Sequence, residues 1–343
     1  MKKDVRRSNR LIVFFFVLIV VLIVGSVVAM RVLLRDEQTA NGVSEVKYAH
    51  HYAFIRPDTN ENLWDNVYIG AQAKGEELGV YVEDFGENLT VDYDQEALLQ
   101  IAIDSGVDGI IIEGNTKENF GVLIDIAAQK NIPVVTVFDD CPESDRISFV
   151  GISNYTMGRQ YGEQIVGMVR GITRPIKVYV LMDSEHSGNG QDLATYGIAD
   201  IFAEAGMGER LDIEGVYIDN SSAFSAEEDI RDIFLNNELP DVIVTLNSVY
   251  TRCLFQAAVD YNKVGAVRIY GFHDSEDILD AVSKNIIDAT ISVNTYDMGV
   301  SCVEALDEYL RTGYVSTYIA QDTEVILREE ATKRLTIEDE DID

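Results

Sequence analysis

The chain has 343 residues, room for a membrane segment plus one large domain or two medium ones. Hydrophobic residues make up 47% of it, enough for real cores, which excludes a disordered chain. A net charge of −32 repels phosphate backbones and disfavours nucleic-acid binding; plain solubility accounts for it without any cation site.

Residues 1–10 carry Lys2, Lys3, Arg6, Arg7 and Arg10, and residues 11–30 follow without a charge. Twenty residues of helix span about 30 Å, the thickness of a hydrocarbon core. The basic cluster stays cytoplasmic in such an arrangement, which puts the rest of the chain outside. A cleaved secretory signal competes with an uncleaved anchor. The apolar core of a signal is only about 7–15 residues long. The run here is longer and resumes past Arg31 with Val32, Leu33 and Leu34, so the anchor is the favoured reading. The expected plan is a cytoplasmic segment over 1–10, a transmembrane helix over 11–34 and a linker over 35–45.

A strand–helix alternation then begins. Strands are predicted at 46–55, 80–85, 109–113, 133–137, 148–152, 178–182, 213–218, 242–246, 267–272 and 289–293. Helical stripes lie between them, such as Phe120, Leu123, Ile124 and Ala127, or Gly299, Cys302, Val303, Leu306 and Leu310. The alternation predicts an α/β fold with parallel sheets, and so many strands favour two sheets over one. After the β-branched run at 134–137, Phe138, Asp139 and Asp140 stand at a strand's carboxyl end, where open α/β sheets bind ligands. Asn154 is placed as a helix N-cap, and residues 151–154 read as a crossing between two lobes. The acidic end of the chain, 336–343, is expected to fray.

Cys141, Cys253 and Cys302 are too widely spaced for a zinc site and too few for a disulfide framework. The segment 186–190, HSGNG, lacks nucleophile-elbow spacing and is far short of a phosphate-binding loop. No cofactor and no metal are called for.

Several segments together carry a resemblance: GAQAKGEELGVYV at 70–82, SGVDGIIIEG at 105–114, NIPVVTVFDD at 131–140 and FVGISNYTMGRQYGEQI at 149–165. DVIVTLNS at 241–248, IYGFHDSEDIL at 269–279 and NIIDATISVNTYDMGV at 285–300 extend it. In order and spacing the chain resembles the sugar-binding type I periplasmic binding proteins, the ribose- and galactose-binding group that shares its fold with lac-type repressor cores. The resemblance implies two doubly wound lobes joined by three crossings, near 151–154, 293–295 and 321–323, with ligand between the lobes. The first lobe is then 46–152 plus 294–322, and the second 153–293 plus 323–335.

Carried over residue by residue, the resemblance gives a mixed result. The family's aromatic pair near the first helix falls on Leu63 and Trp64, so one ring is replaced. Its acid after the fourth strand falls on Asp139 if Phe138 is an insertion, or otherwise on Phe138 itself. Its Asn matches Asn247; a later Asp matches His273 without a gap or Asp274 with one; its Gln falls on Val293, with Asn294 beside it. The family's Arg in the first loop of the second lobe has no counterpart, since Gln191 and Asp192 stand there, and its Arg after the strand-four acid is missing.

A sugar site needs acids and amides that accept and donate in pairs, plus an aromatic plate. Asp139, Asp140, Asn189, Asn247, Asp274 and Asn294 all lie in loops at predicted strand carboxyl ends, and the basic set that a phosphorylated or carboxylated ligand requires is absent. Each residue has a plainer role beside it. Trp64 fits a core stripe with Val67, Tyr68 and Ala71; Asn154 and Asn247 fit helix caps; His273 fits a satisfied loop residue. The expected function is an extracellular, membrane-tethered binding protein for a neutral sugar, partnered by a membrane histidine kinase or an ABC permease. The alternatives are a hydrolase on the same scaffold, for which no nucleophile–base set stands out, and a repressor, which the amino-terminal apolar run and the charge disfavour.

Overall fold

Short runs of β-branched residues buried on both faces make the strands. Ile110, Ile111 and Ile112 are wholly inaccessible, and so are Val242, Ile243 and Val244. The computed structural model describes residues 48–342 apart from 58–61, 92, 116–117, 185–189, 220–222 and 236–237. The expected transmembrane run, 11–34, lies outside the described residues. No helix among the described residues is long and apolar enough to cross a membrane.

Strand β1 (His50–Ile55) leads through α1 (Asn62–Leu78) to β2 (Val80–Asp84), then through α2 (Gln95–Ser105) to β3 (Gly109–Glu113). Helix α3 (Glu118–Gln129) follows, then β4 (Val134–Val137) and β5 (Ser148–Gly151). The chain next forms α4 (Asn154–Val169), β6 (Ile176–Asp183), α5 (Asp192–Glu204), β7 (Leu211–Ile218), α6 (Ala223–Leu235) and β8 (Val242–Thr245). It continues with α7 (Ser248–Asp260), β9 (Arg268–Phe272), α8 (Glu276–Ser283) and β10 (Ala289–Val293). Last come α9 (Thr295–Thr312), β11 (Tyr318–Ala320), β12 (Thr323–Ile326) and α10 (Arg328–Ile342).

Two six-stranded sheets result, ordered β11-β5-β4-β3-β1-β2 and β12-β10-β9-β8-β6-β7. All pairings are parallel except β10 with β12. The sheets repeat one plan, so β4 and β9 occupy equivalent places. The chain passes between the lobes three times: from β5 to α4, from β10 to α9, and from β11 to β12. Strands β11 and β12 were not legible beforehand; each has at most four residues and one face half in solvent. The tail expected to fray continues helix α10, which opens with Glu329 and Glu330 where the helix dipole favours acids.

The helix after each long crossing is locked to its new lobe by glycine contacts. Helix α9 lies on α1, where a Cβ at Gly299 would overlap the Val67 carbonyl and one at Gly70 the Tyr296 carbonyl. Helix α4 lies on α5 in the same manner, with Gly158 against the Ala194 carbonyl and Gly197 against that of Tyr155. Tyr161 adds a second tie for α4, donating its buried hydroxyl to the carbonyls of Gly271, at 2.7 Å, and Thr245, at 3.1 Å.

An alanine normally strengthens a helix relative to glycine by about 1 kcal/mol. Here the sign reverses: Gly299→Ala and Gly158→Ala are expected to destabilise the protein by about 1–3 kcal/mol through overpacking. Thermal unfolding of the two variants checks this, and a raised midpoint in either contradicts the packing described.

Candidate functional site

A cleft of about 420 Å³ lies between the carboxyl ends of the two sheets. Its first wall takes Leu63 and Trp64 from the start of α1, Glu113 from the end of β3, and Phe138, Asp139 and Asp140 from the loop after β4. Phe149 of β5 and Tyr318 of β11 close that side, their rings stacked at 5.5 Å. The second wall takes Asn154 from the start of α4, Asp183 from the end of β6, Gln191 before α5, and Asn247 and Ser248 at the start of α7.

The aromatic floor is built by packing. Trp64, 3% exposed, meets Phe138 edge-on at 5.1 Å and Phe54 at 6.1 Å. It is therefore a core residue whose remaining edge lines the cleft, and the two roles weighed for it coincide. Phe138 reaches this position with a left-handed backbone, φ 63°, which is rare for a bulky residue. Such backbone strain costs of order 1–3 kcal/mol and clusters at ligand sites. Gly114 holds the loop, because its N–H donates to the Asp139 carbonyl at 3.0 Å and any Cβ there would overlap that group.

Asp140 lines the same wall, but its oxygens are engaged. Thr136 Oγ1 donates to it at 3.0 Å, the Cys141 N–H at 2.7 Å, and Arg146 forks onto both oxygens. The arginine missing directly after the acid is supplied six residues further on, where it neutralises Asp140 and closes the loop. Asp139 remains the carboxylate of that pair with a positional claim on a ligand.

On the second wall two amides have fixed orientations. Gln191 Oε1 accepts the Asp183 N–H at 2.8 Å, and Asn247 Oδ1 accepts the Tyr250 N–H at 2.8 Å. A backbone N–H can be met only by the carbonyl end of an amide, so both NH₂ groups are turned away as donors. Asn247 thus caps α7 and lines the cleft at once. Asn154 is not the cap of α4. Ser153 Oγ accepts the Thr156 N–H in that role, which leaves the Asn154 side chain on the cleft wall. Burial, and next the Asp183 carboxylate, push the Tyr250 phenol well above its ordinary range.

Three expected site residues are not on the cleft. His273 is the β9 counterpart of Phe138, also left-handed with φ 80°, but it is buried against β10; its N–H donates to the Ile291 carbonyl and its carbonyl accepts from Thr290. Asp274 is held by Ser292 Oγ at 2.6 Å and by Arg334 of α10 at 3.0 Å. Asn294 caps α9, with its oxygen on the Asp297 N–H and its NH₂ on the Asp297 carboxylate. Asn189 falls outside the described residues. Conversely, the cleft includes Glu113, Asp183 and Gln191, which sequence reasoning passed over. Glu113 and Asp183 end buried strands as surely as Val137 precedes Asp139, so the carboxyl-end rule covers them too.

The described lining residues include no Lys, Arg or His, and no group among the described residues could hold a metal ion. The walls offer carboxylate acceptors, amide donors and aromatic edges, a set suited to a neutral molecule rich in hydroxyls.

Two such lobes around a polar cleft define a two-lobed binding-protein architecture. The chain belongs to the periplasmic binding protein domain family, whose model matches residues 52–314. No curated protein matches it in sequence. Among solved structures it is similar to GanP, a glucose-galactose binding protein from Geobacillus stearothermophilus, at 24% identity and TM-score 0.71, covering 83% of this chain and 99% of that one. AraP, an arabinose binding protein from the same organism, gives 19% identity and TM-score 0.65, covering 83% and 98%. The XylFII–LytSN complex gives 22% identity and TM-score 0.65, covering 82% and 98%. These likenesses carry the fold.

Trp64 is the single tryptophan of the chain, so it reports on the cleft alone. Its emission in the ligand-free protein is expected to be blue-shifted and poorly quenched by acrylamide. Water-like emission with free quenching contradicts its place in the aromatic floor.

Proposed function

We propose that the protein is an extracellular, membrane-tethered solute-binding protein for a neutral sugar or sugar-like ligand. It works with a membrane sensor kinase or with an ABC-type permease. The observation that carries the reading is the cleft chemistry: carboxylates and oriented amides face one another across an aromatic floor, with no cation among the described lining residues. A sugar hydroxyl both donates and accepts, and its C–H faces suit aromatic edges. A phosphate or carboxylate ligand would meet Glu113, Asp139 and Asp183 without a charge partner among those lining residues.

The sugar-binding names of GanP and AraP agree with this reading, and the XylFII–LytSN complex is a precedent for a partner-bound protein of this fold. The apolar run at 11–30, behind a basic cluster, supports the tether and its orientation. A protein-helix anchor, unlike a lipid, is able to pack against a partner's helices and report lobe closure, which favours sensing over transport. Protease added to intact cells should digest the domain, and full protection contradicts the orientation.

A thermal-shift screen of the protein against neutral pentoses, hexoses and polyols tests the ligand class. A ligand at 100 times its dissociation constant adds about 2.7 kcal/mol of stability. Asp139→Ala should weaken that ligand's binding by about tenfold to a hundredfold without loss of stability. Asn247→Ala should weaken binding as well, and should also cost about 1 kcal/mol of stability because the α7 cap is lost. A screen in which only anionic or cationic compounds raise the midpoint contradicts the reading.

A further inference from the structure

Gln191 stands at a place where the sequence offered only the lack of an arginine. Its side chain makes one hydrogen bond to the described residues, from the Asp183 N–H to Oε1. That bond fixes which end of the amide faces the protein, so the NH₂ group is left over. Gln191 is half-buried on the cleft wall, and Asp183, only 5% exposed, lies beside it at the carboxyl end of β6. Donor and acceptor are therefore adjacent, and both are tied to the strand that forms the centre of the second sheet's cleft edge.

We infer that Gln191 reads a ligand hydroxyl as a hydrogen-bond donor and that, with Asp183, it takes a vicinal diol of a neutral sugar. The amide N–H meets the oxygen of one hydroxyl, and the neighbouring hydroxyl gives its proton to the carboxylate. This rests on the sugar reading above and specifies which side chains of the second lobe do the reading. The donor is neutral where an arginine would be charged, so the site gains nothing from a carboxylated or phosphorylated sugar. The carboxylate sets the opposite limit only in part, since an ammonium would also be welcome beside it, and the test separates that case.

The full-length protein in detergent is titrated calorimetrically with D-glucose, D-galactose, D-xylose and L-arabinose, and with D-glucosamine and D-glucuronate as charged analogues. The parent is expected to bind at least one neutral sugar and to bind glucuronate worst. Gln191→Glu keeps an oxygen for the Asp183 N–H but removes the donor; it and Gln191→Ala should each bind that sugar about tenfold more weakly. Both should unfold at the parent's midpoint. Among monodeoxy analogues of the sugar, one should lose about tenfold against the parent and nothing further against Gln191→Ala, because the hydroxyl and its reader are then both gone. If the parent binds a neutral sugar and the Gln191 variants bind it equally well, or if every deoxy loss is the same in parent and variant, the inference is overturned while the sugar reading stands. If glucosamine binds best and Gln191→Glu tightens it, the site is for an amine and the inference fails. If no neutral sugar binds, the sugar reading falls, and this inference with it.

Discussion

Backbone touches backbone at two places in this molecule, and the two-lobed arrangement depends on both. Where α9 crosses α1, Gly70 and Gly299 leave no side chain between the helices, and where α4 crosses α5, Gly158 and Gly197 do the same. Each pair joins a helix that has just arrived from the other lobe to the first helix of the lobe it enters. The contact converts a crossing segment into an integral layer of a rigid body. Packing at interior density does not deform gradually, so bending is left to the short stretches 152–153, 294 and 321–322 that separate these bodies. Hydrogen bonds from Gln321 N–H to the Gly151 carbonyl, and between Gln160 and Thr323, tie those stretches together without filling them with core.

The cleft inherits its chemistry from the same duplication. Parallel strands end at one edge, and the residue after each strand is turned toward that edge. Of the two left-handed residues that follow β4 and β9, Phe138 turns its ring to the floor of the cleft, whereas His273 is drawn against β10 and Asp274 is captured by Arg334 of the last helix. One lobe thus spends its post-strand residues on the ligand side and the other on its own closure. The second lobe makes up the loss with Asp183, Gln191 and Asn247, two of them amides whose direction is set by backbone N–H groups.

Much of the fold was legible because its strands are short buried runs punctuated by turn residues, and the helices between them show the apolar period. Strands β11 and β12 were not, since three or four residues with alternating exposure carry no periodic signal. At the site, Trp64 and the Phe138–Asp139 pair were legible from position after a strand or at a helix start. Which loop residues face the cleft was not legible for His273, Asp274 and Asn294, because that depends on partners distant in the chain: Thr290, Ser292 and Arg334. Asp140 illustrates the same limit, since its partner Arg146 is near in sequence but only the loop's path brings it back. Ser153 took the capping role given to Asn154, a shift of one residue that turns Asn154 to the cleft.

The central claim is that a neutral sugar is gripped from both lobes at once. The most direct measurement is the distance between spin labels on Val91 of the first lobe and Phe224 of the second, both exposed, with the half-buried Cys253 replaced. Closure about the three crossings predicts that saturating sugar shortens and narrows the distance distribution. A distribution that stays the same while the sugar is shown to be bound contradicts the account.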